Sequence, residues 1–259
     1  MKTKVSIIMN CYNGSRYLKK SITSVINQNY KHWELIFFDN LSTDNSIKIA
    51  KSFKDERIKI FKTNKFLKLY EARNQAIKKT KGQYICFCDT DDWWFKSKLQ
   101  VQIDFLNKNK EVNLLFTNLF VLNEKTKTKK LYFGNNMPSG MITQHLLDDY
   151  KLGILTVLVN KKFFNRKKFN KKYNIIGDFD FFINLSLKEK FYCLHKPLAV
   201  YRLHDKNFSK KTDIYAKEMA FWLKENSYKF KKLNYSLNLI RLTLFKLKFK
   251  TFFNIFRRF

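Results

Sequence analysis

Lys81-Gly82-Gln83-Tyr84-Ile85-Cys86-Phe87-Cys88-Asp89-Thr90-Asp91-Asp92 is a short apolar run that ends in three carboxylates within four residues. Tyr84 to Cys88 has the length and continuous apolar character of a strand buried on both faces. Runs of the same kind occur upstream at Val5 to Met9, Trp33 to Phe38 and Ile58 to Phe61, separated by segments of helical period. Ser15 to Gln28 sets Tyr17, Leu18, Ser21, Ile22, Val25 and Ile26 on one face, and Thr43 to Phe53, Tyr70 to Lys79 and Lys96 to Asn107 continue the alternation. Strands alternating with helices predict right-handed crossovers and an α/β fold with a mostly parallel sheet covered on both faces. Such sheets bind ligands at the carboxyl ends of their strands. The polar clusters Asn10 to Gly14, Asp39 to Asp44 and Asp89 to Asp92 all fall at those ends.

Composition narrows the class. With 27 Phe and 13 Tyr but only 6 Gly and 2 Pro, the 259 residues are neither collagen-like nor disordered and can bury a core. The length fits one α/β domain with an appendage. The 52 Lys and Arg against 21 Asp and Glu give a formal charge of +31, which favours polyanions or anionic lipid. The bland alternative for that excess is an AT-rich genome, whose codon usage inflates Lys, Asn, Ile and Phe together. Cys11, Cys86, Cys88 and Cys193 show no C-x-x-C pair and no zinc-like spacing, and read as buried thiols of a reducing compartment. The apolar run near the N-terminus is too short for a signal peptide, and no uncharged apolar run is long enough to span a bilayer.

From 111 to 205 the pattern is mixed. Asn113 to Leu122, Leu131 to Phe133, Ile154 to Val159 and Tyr192 to Tyr201 read as strands, Thr143 to Tyr150 as a helix, and another helix starts near Asp178. Residues 206 to 259 contain no Gly or Pro, read as helical, and carry 14 Lys and Arg against 3 acids. The organisation expected is therefore 1–110 as a ligand-binding half, 111–205 as the second half of the same domain, and 206–259 as a basic amphipathic helical tail. In the tail Leu242, Phe245, Phe249, Phe252, Phe253 and Phe256 share one face, flanked by Lys246, Lys250 and Arg257. Such a face suits an anionic membrane surface, or else packs on the domain.

Clustered carboxylates raise one another's pKa unless they share a cation. In a chain poor in acids, Asp89-Thr90-Asp91-Asp92 therefore points to Mg²⁺ or Mn²⁺ with phosphate oxygens in the remaining positions, and so to a diphosphate ligand. The competing reading of Asp92 is a cap on the helix that follows Trp93.

Val5-Ser6-Ile7-Ile8-Met9-Asn10-Cys11-Tyr12-Asn13-Gly14, Phe38-Asp39-Asn40-Leu41-Ser42-Thr43-Asp44, Ala72-Arg73-Asn74 and the acidic stretch resemble, in order and spacing, the family 2 glycosyltransferases of GT-A fold. The resemblance runs over roughly residues 4 to 205. It implies a Rossmann-like GT-A sheet and places Tyr12, Asn13 and Asp39 at the nucleotide, Arg73 and Asn74 near the donor, Asp89 at ribose or metal, and Asp91 at the metal. Ile176-Gly177-Asp178-Phe179-Asp180 looks like the family's E-D-x-D segment with Gly177 in place of the glutamate, which makes Asp178 the catalytic base. Tyr201-Arg202-Leu203-His204 resembles the close of the catalytic region, with His204 at the metal or diphosphate and Arg202 or Lys206 neutralising the latter. Asn40-Leu41 stands where Asp-Gly is usual. Trp93 and Trp94 follow the acidic loop where a sugar ring can stack.

The expectation is a metal-dependent, inverting hexosyltransferase. It uses a nucleotide-diphosphate sugar donor and the hydroxyl of a glycan or lipid-linked acceptor in surface polysaccharide synthesis. It is expected to be cytoplasmic and peripheral on the inner face of the cell membrane, with no nucleic-acid partner. The rivals are a basic nucleic-acid-binding protein, which has no need of Asp89, Asp91 or Asp178, and a family member that binds sugar nucleotide without transferring it.

Overall fold

The computed structural model describes residues 4–134 and 137–256. In chain order the first half runs β1 (Val5–Cys11), α1 (Ser15–Ile26), β2 (Trp33–Asp39), α2 (Ser46–Ser52), β3 (Ile58–Lys62), α3 (Leu69–Lys78), β4 (Tyr84–Phe87), β5 (Trp93–Trp94) and α4 (Lys98–Lys108). The second half runs β6 (Leu114–Asn123), β7 (Lys129–Leu131), α5 (Thr143–Asp148), β8 (Leu158–Asn160), α6 (Lys162–Arg166), α7 (Gly177–Ser186), β9 (Tyr192–Leu203), α8 (Thr212–Lys232) and α9 (Asn238–Phe256).

One sheet joins all the strands in the order β3-β2-β1-β4-β8-β6-β9-β5, with β7 paired to β6. β3, β2, β1 and β4 are parallel, as their alternation with helices requires. β8 is antiparallel to both β4 and β6, β6 is parallel to β9, and β5 is antiparallel to β9. The chain leaves the parallel half at the acidic loop, which runs from the end of the central β4 to the far edge, where Trp93 pairs with Val200. That crossing brings residues near 91 against residues near 204. Ile154 to Thr156 forms a 3-10 turn rather than the start of a strand, because Gly153 O accepts both Thr156 N and Thr156 Oγ1.

The two sheet faces bury separate cores. Ile7, Met9, Leu35, Cys86 and Leu115 pack with Leu18, Ile22, Leu99 and Ile103 on one side. Ile8, Ile36, Phe87 and Phe116 pack with Tyr70, Ala76, Phe181 and Trp222 on the other. All four cysteines are buried free thiols, and burial pushes Cys86 up to about 12. The helical tail is two helices. Asn234, at φ 59°, turns the chain between them. α8 buries Met219, Trp222 and Leu223 in the second core, which Leu237, just ahead of α9, and Ile240 of α9 also join. Leu242, Phe245 and Phe249 point to solvent, so α9 has one docked and one exposed apolar face. The side chains of Phe252, Phe253 and Phe256, and Arg257 altogether, lie outside the described residues. Among the described residues no helix is long and apolar enough to cross a membrane.

Candidate active site

The parallel register sets Cys11 beside Asp39 and Asp39 beside Lys62, so the loops after β1 and β2 open at the same sheet edge. Asn13, at φ 51°, links them: its backbone N donates to Ser42 Oγ at 3.0 Å, and its Oδ1 accepts Thr43 N at 2.8 Å. Asp44 accepts Ser15 N at 2.9 Å and Ser46 N at 3.0 Å. Burial pulls its carboxyl upward, but these serines outweigh it and hold the group at about 2. A Cβ at Gly14 would lie 2.7 Å from Thr90 Oγ1 and 2.9 Å from Thr90 Cβ, so a larger residue there would displace the acidic loop's threonine.

Asp39 is fully buried, with Oδ2 accepting Ser42 N at 3.1 Å and Oδ1 without a partner. A buried acceptor of this kind calls for a donor from a ligand. Tyr12, 55% exposed, stands edge-on to the exposed Phe66 with ring centroids 4.9 Å apart. Tyr12 follows β1, and Phe66 precedes Leu67, which Asn40 holds by two hydrogen bonds, so both rings lie near the loop after Asp39. Phe66 carried no signal in the sequence because it lies in a loop without periodicity.

Arg73 is buried rather than on an exposed helix face, and its Nη2 meets both oxygens of Asp89, at 2.8 and 2.9 Å. Burial opposes the guanidinium charge, but the facing Asp89 more than restores it. Asn74 points elsewhere. Its Nδ2 donates to Phe169 O at 2.8 Å and its Oδ1 accepts Phe169 N at 3.0 Å, so both ends of the amide hold the segment leading to α7.

Asp91 meets His204: Asp91 Oδ2 lies 2.9 Å from His204 Nε2 and 3.3 Å from Asn207 Nδ2. Lys206 N donates to His204 Nδ1 at 3.2 Å, which puts the ring proton on Nε2, directed at the carboxylate. Burial first, and the nearby Asp89 second, raise the Asp91 carboxyl above the ordinary aspartate range. Asp92 does not cap a helix. It is buried, accepts Arg202 N at 2.8 Å, and is pushed well above its usual range by burial, then by Asp91 and Asp89. The next helix begins only at Lys98.

Arg202 is committed to structure. Its Nη1 pairs with Glu124 at 2.6 Å, its Nε donates to Asp91 O at 3.0 Å, and its guanidinium lies over Tyr17 and Trp93. Trp94 is buried and donates to Leu155 O, and Lys20 Nζ sits 3.5 Å from the centre of the Trp93 ring. Both indoles are thus engaged within the protein.

Among the described residues no group of three or more His, Cys, Asp or Glu side chains is arranged to hold a metal unaided. Asp89 is turned onto Arg73, and His204 onto Asp91. The donor set nevertheless fits Mg²⁺ or Mn²⁺, which bind through one or two carboxylates and complete their shell with phosphate oxygens and water. Asp91, desolvated beside a second carboxylate, is the group that such a cation would relieve.

Asp178 lies in the first turn of α7, partly buried, where Tyr70 Oη donates to its Oδ1 at 2.6 Å. Burial raises its pKa, against the hydrogen bond from Tyr70 and the charge of Arg73. The turn before it is tied down from α8: Glu218 accepts the backbone N–H groups of Asn174, Ile175 and Ile176 at 2.6, 2.9 and 3.1 Å. Neither Tyr70 nor Glu218 could be singled out from the sequence. Each acts on residues some 40 to 110 positions away, at separations of 42 to 44 and 105 to 108.

The profile of Glycosyl transferase family 2 matches residues 6–191. The Escherichia coli UDP-Glc:alpha-D-GlcNAc-diphosphoundecaprenol beta-1,3-glucosyltransferase WfgD is 35% identical over 162 residues, covering 62% of this chain and 62% of its own. The match thus spans less than two thirds of that relative. A crystal structure of S. aureus TarS in complex with UDP-GlcNAc superposes with a TM-score of 0.69 at 17% identity, covering 85% of this chain and 66% of that one. The mannosyltransferase PcManGT from Pyrobaculum calidifontis, in complex with GDP-Man and Mn2+, gives a TM-score of 0.63 at 12% identity over 86% of this chain and 65% of its own. These likenesses establish the GT-A architecture.

Proposed function

We propose, for a chain that belongs to glycosyl transferase family 2, an inverting transfer of a hexose from a nucleotide-diphosphate sugar to a hydroxyl of a lipid-linked or glycan acceptor in surface polysaccharide synthesis. One observation carries this reading. A single turn of α3 presents Tyr70 to Asp178 and Arg73 to Asp89, so the acceptor-side and donor-side carboxylates are both held by partners on the same short helix.

Asp39 takes a donor from the nucleotide base or ribose, and Tyr12 with Phe66 offers ring faces to the base. Asp91, with Asp89, would hold a divalent cation, and such a cation would supply positive charge to a departing diphosphate. Asp178 takes the proton of the acceptor hydroxyl as its oxygen attacks the sugar carbon from the face opposite the leaving group. A raised pKa makes this carboxylate a better proton acceptor than an exposed aspartate. A polyanion-binding protein has no use for these partly buried carboxylates.

The exposed Leu242 and Phe245 on α9, with Arg241, Lys246, Lys248 and Lys250 around them, support a further part of this reading, contact with an anionic membrane surface beside a lipid-linked acceptor. UDP-glucose is the first donor to test, since the Escherichia coli relative is named for it. The experiment is transfer from UDP-glucose with Mn²⁺ to a GlcNAc-diphosphate lipid, with UDP-, GDP- and dTDP-hexoses as alternatives. Product that vanishes on chelation supports the reading. Sugar-nucleotide binding with no transfer to any acceptor overturns it.

A further inference from the structure

We propose that Tyr70 is the positioning residue of Asp178, and that position 177 is glycine in order to admit the Tyr70 ring; the first half of this rests on Asp178 being the base. Glycine in a helix is about 1 kcal/mol worse than alanine, so its presence in the first turn of α7 needs a reason. Backbone conformation supplies none, because Gly177 lies inside the right-handed helix. Space supplies it. A Cβ at 177 would fall 2.3 Å from Tyr70 Cδ2 and 2.5 Å from Cγ, far inside contact distance. A side chain at 177 would force the Tyr70 ring or the first turn of α7 to move.

The ring that fills this space is buried and fixed. It packs on Phe169 with centroids 5.2 Å apart, and the Arg73 guanidinium lies 5.1 Å from its centre. Its hydroxyl then has two acceptors, Asp178 Oδ1 at 2.6 Å and Ile175 O at 3.1 Å. A phenol donating to an ionised carboxylate at that distance makes a charge-assisted bond, which favours the charged form and fixes the plane of the carboxylate. It occupies Oδ1 and leaves Oδ2 to take the acceptor's proton. No proton passes to or from Tyr70.

The other groups around Asp178 are Arg73 from α3, Tyr132 after β7, Tyr150 after α5 and Tyr215 from α8. The Tyr150 hydroxyl is buried and unpartnered, so it does not duplicate the Tyr70 bond. The direction of the Tyr70 contribution is to lower the Asp178 pKa against the upward pull of burial. Loss of the hydroxyl therefore raises that pKa, and a base that must be ionised then loses activity from a higher pH downward.

Tyr70→Phe keeps the ring and removes only the hydroxyl. Titrating the Asp178 carboxyl by carboxyl-carbon NMR in the full chain reads the effect directly, and the pH profile of kcat/KM with UDP-glucose reads it in function. The expected result is an upward shift of about one pH unit in both, with UDP-glucose affinity unchanged. An unshifted Asp178 titration in folded Tyr70→Phe overturns the proposal. Asp178→Asn separates the two claims: wild-type turnover in that variant overturns the base reading, whereas an inactive Asp178→Asn with an unmoved titration in Tyr70→Phe overturns only the role of Tyr70. For the spatial half, Gly177→Ala is expected to lower Tm, and adding Tyr70→Ser to remove that loss relative to Tyr70→Ser alone. An unchanged Tm in Gly177→Ala overturns the pairing.

Discussion

Leu41 stands at φ 63°, a left-handed conformation in which a branched side chain meets its own backbone. Relieving it is worth roughly 1–2 kcal/mol, less about 0.5–1 kcal/mol for the freedom glycine gains when unfolded. Leu41→Gly is therefore expected to raise Tm by about 2 °C, and an unchanged or lowered Tm in thermal melts would show that the loop carries no such strain. The candidate carboxylates stand out one by one in the sequence: Asp89, Asp91 and Asp178 are acids at strand or helix ends in a chain poor in acids. What their neighbours do was not. Arg73 and Asn74 are adjacent in sequence, yet one turns to Asp89 and the other clamps Phe169, because successive helical residues point about 100° apart. Gly177 was visible as an oddity, but its cause, the Tyr70 ring, lies 107 residues away and leaves no local pattern.

The parallel strands could be read because each is a short, mainly apolar run between helical segments, and the resulting register fixes where the loops gather. β5 could not, since two tryptophans have no periodicity and their pairing with β9 is decided by the far end of the chain. α8 is a further case. Composition marked it as part of a basic tail, whereas it packs Trp222 into the core and sends Glu218 to three N–H groups ahead of Asp178. An amide at 218 offers one accepting oxygen and no charge to those three donors. Glu218→Gln should cost on the order of 1–3 kcal/mol of stability and lower kcat while leaving donor affinity in place. Denaturant melts and steady-state kinetics check this, and a variant matching wild type in both would show that the cap is dispensable.

Across the whole molecule the charge of +31 is unevenly placed. Asp89 and Asp91 pair with Arg73 and His204 beyond the end of β4, and α9 carries exposed basic and apolar residues side by side. Because α8 and part of α9 are built into the core, the membrane reading is best tested by surface substitutions that leave both helices in place. Phe245→Asp with Phe249→Asp is expected to weaken binding to phosphatidylglycerol vesicles at least tenfold, and equal flotation of both proteins would place the contact elsewhere. The central claim is narrower: Asp178 removes the acceptor proton. The decisive measurement is the rate of hexose transfer from UDP-glucose to a GlcNAc-diphosphate lipid by Asp178→Asn, beside its affinity for UDP-glucose. A loss of about 10²–10⁴-fold in kcat with donor affinity intact is the predicted result, and transfer at the wild-type rate would contradict it.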